Sequence, residues 1–298
     1  MRGCCKLRVR KILGEASDNR VREAKKKFIF GYEGAKTEKE YFTGIAQNKE
    51  YFGISDLVEV INLERFDKTQ SNQLNVVKEI DKFISLVKVC EEECGSFGEK
   101  VEILLSTYEI NLDEETKGNL KNYLENYNYD LDDKLFFDEL KNILKNETTI
   151  DRIKGIKDLE NIDFEYDEIN IIIDRDYKSF TEEQFQEVVN ICNENNYNLG
   201  LTNPCFEFWL LLHLTDCSEY DNNKIKENKK EKTKRNFLEK CLIDKLNRYR
   251  KDKINFENYR EKVKIAIKNI ENYCQDIEQL NDNIGSSLGI IIKKLIKI

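Results

Sequence analysis

Residues 169–178 read INIIIDRDYK, an apolar run of strand character driven straight into two aspartates with one arginine between them. A continuous run of this kind is what a strand buried on both faces of a parallel sheet requires. Side chains two apart in a strand share a face, so Asp174 and Asp176 are expected to converge while Arg175 turns the other way. Two like charges at the mouth of a buried strand need something to neutralise them. What that is depends on what the rest of the chain delivers to the same edge.

Outward from this strand the pattern alternates. KFIFGY (27–32) is a short strand that ends at Glu33 and a turn at Gly34. Thr37 and Glu40 have capping-box spacing for a helix that starts there. LVEVINL (57–63) reads as a second strand, followed by helix-period apolar residues from Leu74 to about Val89. After the aspartates, Thr181 and Gln184 open another helix with a capping box. YNLGLTNP (197–204) is then a strand and turn, with Asn203 expected as N-cap and Pro204 as the first helical residue. CFEFWLLLHL (205–214) continues as a buried helix, and NDNIGSS (281–287) reads as a turn before a last amphipathic helix. Strands alternating with helices predict an α/β fold with a mostly parallel central sheet flanked by helices. Residues 91–160 are acidic, rich in Asn and Tyr, and patterned as a helical insertion. The expected organisation is a basic N-terminal arm (1–27) and one α/β domain (28–298), whose part from 218 to 298 is mainly helical.

The 298 residues carry a net charge of −8, which on its face argues against nucleic acid. The sum hides two basic segments: residues 1–27 carry about +7 and residues 224–253 about +8. Such segments on an acidic body make a local phosphate-attracting surface, although solvated helix faces have the same composition. No apolar stretch approaches the roughly 20 residues that span a bilayer, and neither end reads as a signal peptide. A soluble, cytoplasmic protein with no membrane partner is expected. The nine cysteines are odd in number and never spaced as CxxC, and there is one histidine. A disulfide framework and a zinc site are therefore both disfavoured.

In a parallel sheet the carboxyl ends of the strands lie along one edge, where ligands bind. Glu33, Asp174 and Asp176 are expected to meet there. Their mutual repulsion would be relieved by a hard cation such as Mg²⁺ (or Mn²⁺), which takes carboxylate oxygens together with water and substrate phosphate. Such an ion polarises a phosphoryl oxygen or activates water. A lone DxD is a weak signal. The DxDxT motif of haloacid-dehalogenase-type phosphatases is absent, because Tyr177 and Lys178 follow.

Taken together, YEGAKTEKEYF (32–42), IIIDRDYK (171–178) and TNPCFEFWLLLHL (202–214) resemble the RloB family, the group that includes the AbiLii component of a bacterial abortive-infection system. The first motif matches at Glu33, Gly34, Thr37, Glu38, Tyr41 and Phe42, and the second at Asp174, Arg175 and Asp176. The third matches from Asn203 to Glu207 and at Trp209 and His213, with Thr202 in place of the usual Ser. Tyr249 and Lys251 resemble a Tyr-x-Lys segment, and NIGSS is a weak form of the closing turn. The likeness covers residues 25–90 and 165–298; residues 91–160 have no counterpart in compact members.

The resemblance implies a Toprim-like fold. It also implies a metal-dependent nuclease, with RNA favoured and tRNA within that, acting as the toxin of an antiviral defence beside a partner ATPase of the AbiLi or RloA type. Glu33 would be the acid–base residue or a metal ligand, Asp174 and Asp176 would hold Mg²⁺, and Glu38 would reach the same metal. Glu207 reads as a further ligand or as structural, and Lys178 as a phosphate contact or a surface lysine. Arg248, Tyr249, Arg250 and Lys251 pair an aromatic with charges as nucleic-acid backbones require, or else form a solvated helix with one aromatic anchor. His213, on an apolar helix, is expected as a satisfied core histidine or as a support behind the site rather than in catalysis. Two rivals stand beside the nuclease: a non-catalytic Toprim-like sensor or adaptor of an ATPase, and a primase-like or topoisomerase-like enzyme without companion domains.

Overall fold

The computed structural model describes residues 25–34, 36–63, 72–126, 133–176, 180–230 and 235–296. The basic arm up to residue 24, and Lys178, lie outside the described residues.

Five strands form one sheet: β1 (Lys26–Tyr32), β2 (Val58–Asn62), β3 (Glu168–Asp174), β4 (Asn198–Asn203) and β5 (Gly285–Ser286), in the order β2-β1-β3-β4-β5. The first four are parallel, so their carboxyl ends share an edge. The antiparallel β5 pairs Ser286 with Thr202 and Gly285 with Asn203. The segment expected only as a turn thus supplies the sheet's last strand. A strand buried on both sides has little to distinguish its two faces in composition, yet the alternation is strict here. Ile29, Ile169, Ile171, Ile173, Leu199 and Leu201 join one core, while Phe28, Phe30, Tyr32 and Ile172 join the other.

The first core is closed by α3 (Gln73–Glu93), α4 (Phe97–Thr107), α5 (Glu114–Glu125), α6 (Asp133–Leu144), α7 (Glu147–Asp158) and α8 (Glu182–Glu194). The acidic stretch is helical as expected. Its Phe136, Leu140 and Ile153 are fully buried in the same cluster as the sheet residues, so the inserted helices help to cover the sheet. The second core holds α1 (Thr37–Gln47), α2 (Lys49–Phe52), α9 (Phe206–Leu212), α10 (Asn222–Glu227), α11 (Phe237–Leu246), α12 (Glu257–Arg260), α13 (Val263–Asn269) and α15 (Leu288–Leu295); α14 (Ile277–Leu280) instead places Leu280 in the first core. Gly200 lets α15 approach β4, since a Cβ there would stand 2.8 Å from a Leu288 methyl.

Of the two expected capping boxes, one forms and one does not. The box at Thr181 and Gln184 forms, with both hydrogen bonds made. Thr37 and Glu40, at the same spacing, do not form one. Lys36 is the residue before α1, and Thr37, already helical, donates its hydroxyl to the Lys251 carbonyl. Glu40 accepts the Ile254 N–H at 2.6 Å. Tertiary partners outcompete the local cap because they hold a distant segment on α1, where Phe256 also packs against Tyr41.

Candidate functional site

Glu33 follows β1, and its backbone N–H extends the ladder to the Ile172 carbonyl at 2.9 Å. Its carboxylate accepts the Asp174 N–H at 2.9 Å on one oxygen and the Gln73 side-chain amide at 3.0 Å on the other. Glu33 therefore ties the end of β3 to the start of α3. Asp174, the last residue of β3, carries a half-buried side chain whose Oδ1 accepts the Phe206 N–H at 2.8 Å. The first N–H groups of a helix have no acceptor within it. Here the missing oxygen comes from the neighbouring strand.

Asn203 does not supply that cap, contrary to expectation. It closes β4 and donates its amide to the Leu280 carbonyl at 2.7 Å. Pro204 follows through a cis bond, and Cys205 occupies the position before α9 with extended backbone (φ −162°, ψ 167°). Glu207 is consequently the second residue of α9, directly across from Asp174.

Arg175 turns away from both aspartates, as the strand alternation requires. It is 3% exposed, donates to the Asn281 side chain at 2.8 Å and to the Phe180 carbonyl at 2.6 Å, and lies against the rings of Phe180 and Phe185. Gly34 serves the cleft by its emptiness. A Cβ there would run into the Glu38 carboxyl group, so glycine is what lets this buried acid fold back over the turn.

The side chains of Asp174, Cys205 and Glu207 bring their donor atoms within 4.8 Å of one another. Lys251 places its ammonium 3.1 Å from Glu207, and Tyr249 donates its hydroxyl to the same carboxylate at 3.3 Å. Burial raises the pKa of Asp174 well above the carboxylate range, and Glu33, Glu38 and Glu207 raise it further against the opposing pull of Lys251. For Glu207 burial acts in the same sense, but the Lys251 charge and a hydrogen bond from Cys205 outweigh it and leave the carboxyl below its ordinary value. Burial together with the Glu207 and Asp174 charges keeps Cys205 a protonated thiol. Partial desolvation works against the charge of Lys251, yet Glu207 and Asp174 hold its pKa above that of a free lysine. The site thus gathers more carboxyl groups than one ammonium can neutralise, and Asp174 responds by holding its proton more tightly.

Glu33, Asp174, Asp176, Cys205 and Lys251 line a cleft of about 750 Å³, whose lining also carries Lys226, Glu227, Lys229 and Lys230. Of the residues singled out by sequence, Glu33 and Asp174 are brought into contact, and exposed Asp176 stands at the rim. Glu38 lies beneath, against Gly34. Among the described residues, Asp174, Glu207 and Cys205 form a group within reach of one ion, and it shares Asp174 with the expected set of Glu33, Glu38, Asp174 and Asp176. Two carboxylates suit hard Mg²⁺, whereas a protonated thiol does not, so Cys205 fits as a neighbour of the ion. Cys205 was not foreseen as a site residue. The only local signal is its position two residues before Glu207 at a helix start.

Tyr249 is 7% exposed and its hydroxyl points at Glu207, which leaves no ring face for a base. Arg250 pairs with Asp252 at 2.6 Å, and Arg248 is exposed. His213 is 1% exposed among Tyr41, Trp209 and Tyr259. Its Nδ1 faces the Trp209 carbonyl at 3.0 Å and its Nε2 the Tyr41 hydroxyl at 3.0 Å. Among the described residues, no helix is long and apolar enough to cross a membrane.

The family model described as RloB-like protein matches residues 28–295. No curated protein and no solved structure matches the chain.

Proposed function

The chain belongs to the RloB-like family, and on that premise we propose that it is a metal-dependent nuclease of Toprim-like architecture, the toxic effector of a bacterial anti-phage abortive-infection system. The observation that carries the reading is the convergence of Asp174 and Glu207, from two separate motifs, at the carboxyl edge of a parallel sheet. Such an edge is where ligands of open α/β sheets bind. RNA is the favoured substrate, tRNA within it, and the site of action is the cytoplasm. A partner ATPase of the AbiLi or RloA type restrains or triggers the activity.

Asp174 and Glu207 would hold Mg²⁺ or Mn²⁺, with Asp176 at the rim. When bound, the ion supplies charge to a phosphoryl oxygen and lowers the pKa of a bound water. Glu33, oriented by its two donors, is the residue assigned to take the proton of the attacking water. Gln73 and the Asp174 N–H fix that orientation, so no mobile loop is needed to position the base.

A second reading has an observation of its own. Asp174 already caps α9 and Glu207 already has Lys251, an arrangement that serves a non-catalytic module of an ATPase complex equally well. Purified protein incubated with end-labelled tRNA and single-stranded DNA, with Mg²⁺ or with EDTA, separates the two. Mg²⁺-dependent cleavage that is lost in both Asp174→Asn and Glu207→Gln supports the nuclease. Failure to cut any nucleic acid, with host toxicity intact in both variants, overturns it.

A further inference from the structure

Lys251 differs from the other cations of the cleft in how it is held. Its main chain is fastened on both sides: Thr37 donates to its carbonyl, the Ile254 N–H reaches Glu40 at 2.6 Å, and Tyr249 is buried against Glu207 at 3.3 Å. Its side chain, in contrast, is 57% exposed, although the Glu207 carboxylate it meets is only 3% exposed. A pinned backbone with a flexible four-carbon stem gives one ammonium two places to reach. One is the carboxylate floor. The other is the open cleft, whose wall carries Lys226, Lys229 and Lys230. Lys226 donates to the Asp282 carbonyl at 2.5 Å, and Lys229 forms an exposed pair with Glu227, a kind of contact that holds little.

We propose that Lys251 is a displaceable internal cation: it occupies Glu207 in the metal-free protein, yields that carboxylate to a divalent ion bound between Asp174 and Glu207, and then takes a phosphate oxygen of the substrate strand. Two cations on one buried carboxylate repel each other, so entry of the ion loosens the ammonium. A lysine is suited to the exchange because its charge is a compact point on a mobile stem, which a planar guanidinium is not. The acidic floor and the lysine wall are then two halves of one device, with Lys251 passing between them. The identity of the strand rests on the nuclease reading above, but the exchange itself is read without cleavage.

Mn²⁺ alone, titrated by the electron paramagnetic resonance of the free ion, is the first probe. Lys251→Met is expected to bind Mn²⁺ about tenfold more tightly than the intact protein, the effect of removing one close, partly screened charge. Lys251→Arg, which keeps the charge, is expected to bind no more tightly than the intact protein. The second probe is the anisotropy of a fluorescein-labelled phosphorothioate RNA in saturating Mn²⁺. There Lys251→Met is expected to bind about fivefold more weakly, through loss of one charge-assisted contact. A lysine that only supports the fold would not move the two affinities in opposite directions. Mn²⁺ binding that requires Asp174 but is unchanged by Lys251→Met overturns this inference alone. Mn²⁺ binding unchanged by Asp174→Asn and Glu207→Gln overturns the metal reading, and this inference with it.

Discussion

His213, the only histidine in the chain, allows a prediction that can be read at a single atom. A carbonyl has no proton to give, so the 3.0 Å contact with Trp209 requires Nδ1 to carry the hydrogen. Nε2 is then a lone pair that accepts the Tyr41 hydroxyl. Protonation would reverse that bond and place a charge among three aromatic rings, and burial accordingly pushes the imidazole down to about 3 from its ordinary 6.5. The folded state refuses the proton until about pH 3, whereas the unfolded chain takes it near 6.5. Between those values the unfolded state binds more protons, so stability is fully present above 6.5 and falls as the pH falls through the window.

At pH 5 the deficit spans 1.5 units below the ordinary value, which is about 2 kcal/mol at 1.36 kcal/mol per unit. The figure holds for any folded value below about 4, so it does not depend on the depth of the shift. Urea denaturation at pH 7 and pH 5, on intact protein and on His213→Gln, measures it. The comparison matters because raised carboxyls such as Asp174 slope the opposite way and are common to both proteins. The stability difference between the two should shrink by about 2 kcal/mol from pH 7 to pH 5. The lone imidazole proton resonance should show no titration above pH 4. A shift centred near pH 6, or parallel pH dependences of the two proteins, would refute the buried neutral imidazole and reopen a catalytic role.

Arg175→Met removes the donors that reach Asn281 and Phe180 and should cost about 2–4 kcal/mol, read as a lowered urea midpoint, because buried acceptors are left unpaired. Gly34→Ala forces the Glu38 carboxyl off its seat, with an expected loss of about 1–3 kcal/mol by thermal melting and of Mn²⁺ affinity with it; unchanged melting would mean that the turn has slack. Asp174→Asn keeps an oxygen for the Phe206 N–H while removing a charge that three acids oppose, so stability at pH 7 should hold or rise by about 1 kcal/mol as metal binding disappears. A variant that melts lower by more than that amount would mark Asp174 as structural first.

Local pattern sufficed for much of this protein. The β-branched run at 169–173, the shorter run at 27–32 and the alternation with helices determined a parallel sheet, and strand periodicity alone sent Arg175 to the face opposite Asp174 and Asp176. The Thr181 capping box was equally readable, since both of its partners lie within one turn. Interactions between segments distant in the chain were decided only by the tertiary structure, because spacing carries no information about a neighbour that sequence does not place. Thr37 and Glu40 have the spacing of a cap, yet they serve residues 251 and 254. Asn203 and Pro204 look like the start of a helix, yet the oxygen that caps it comes from Asp174, 32 residues earlier. The meeting of Asp174 with Cys205, Glu207 and Lys251 depends on how α9 packs on β3 and how the 249–254 segment is laid across α1. Charge neutralisation at that edge is a property of the assembled sheet, and no single stretch of the chain encodes it.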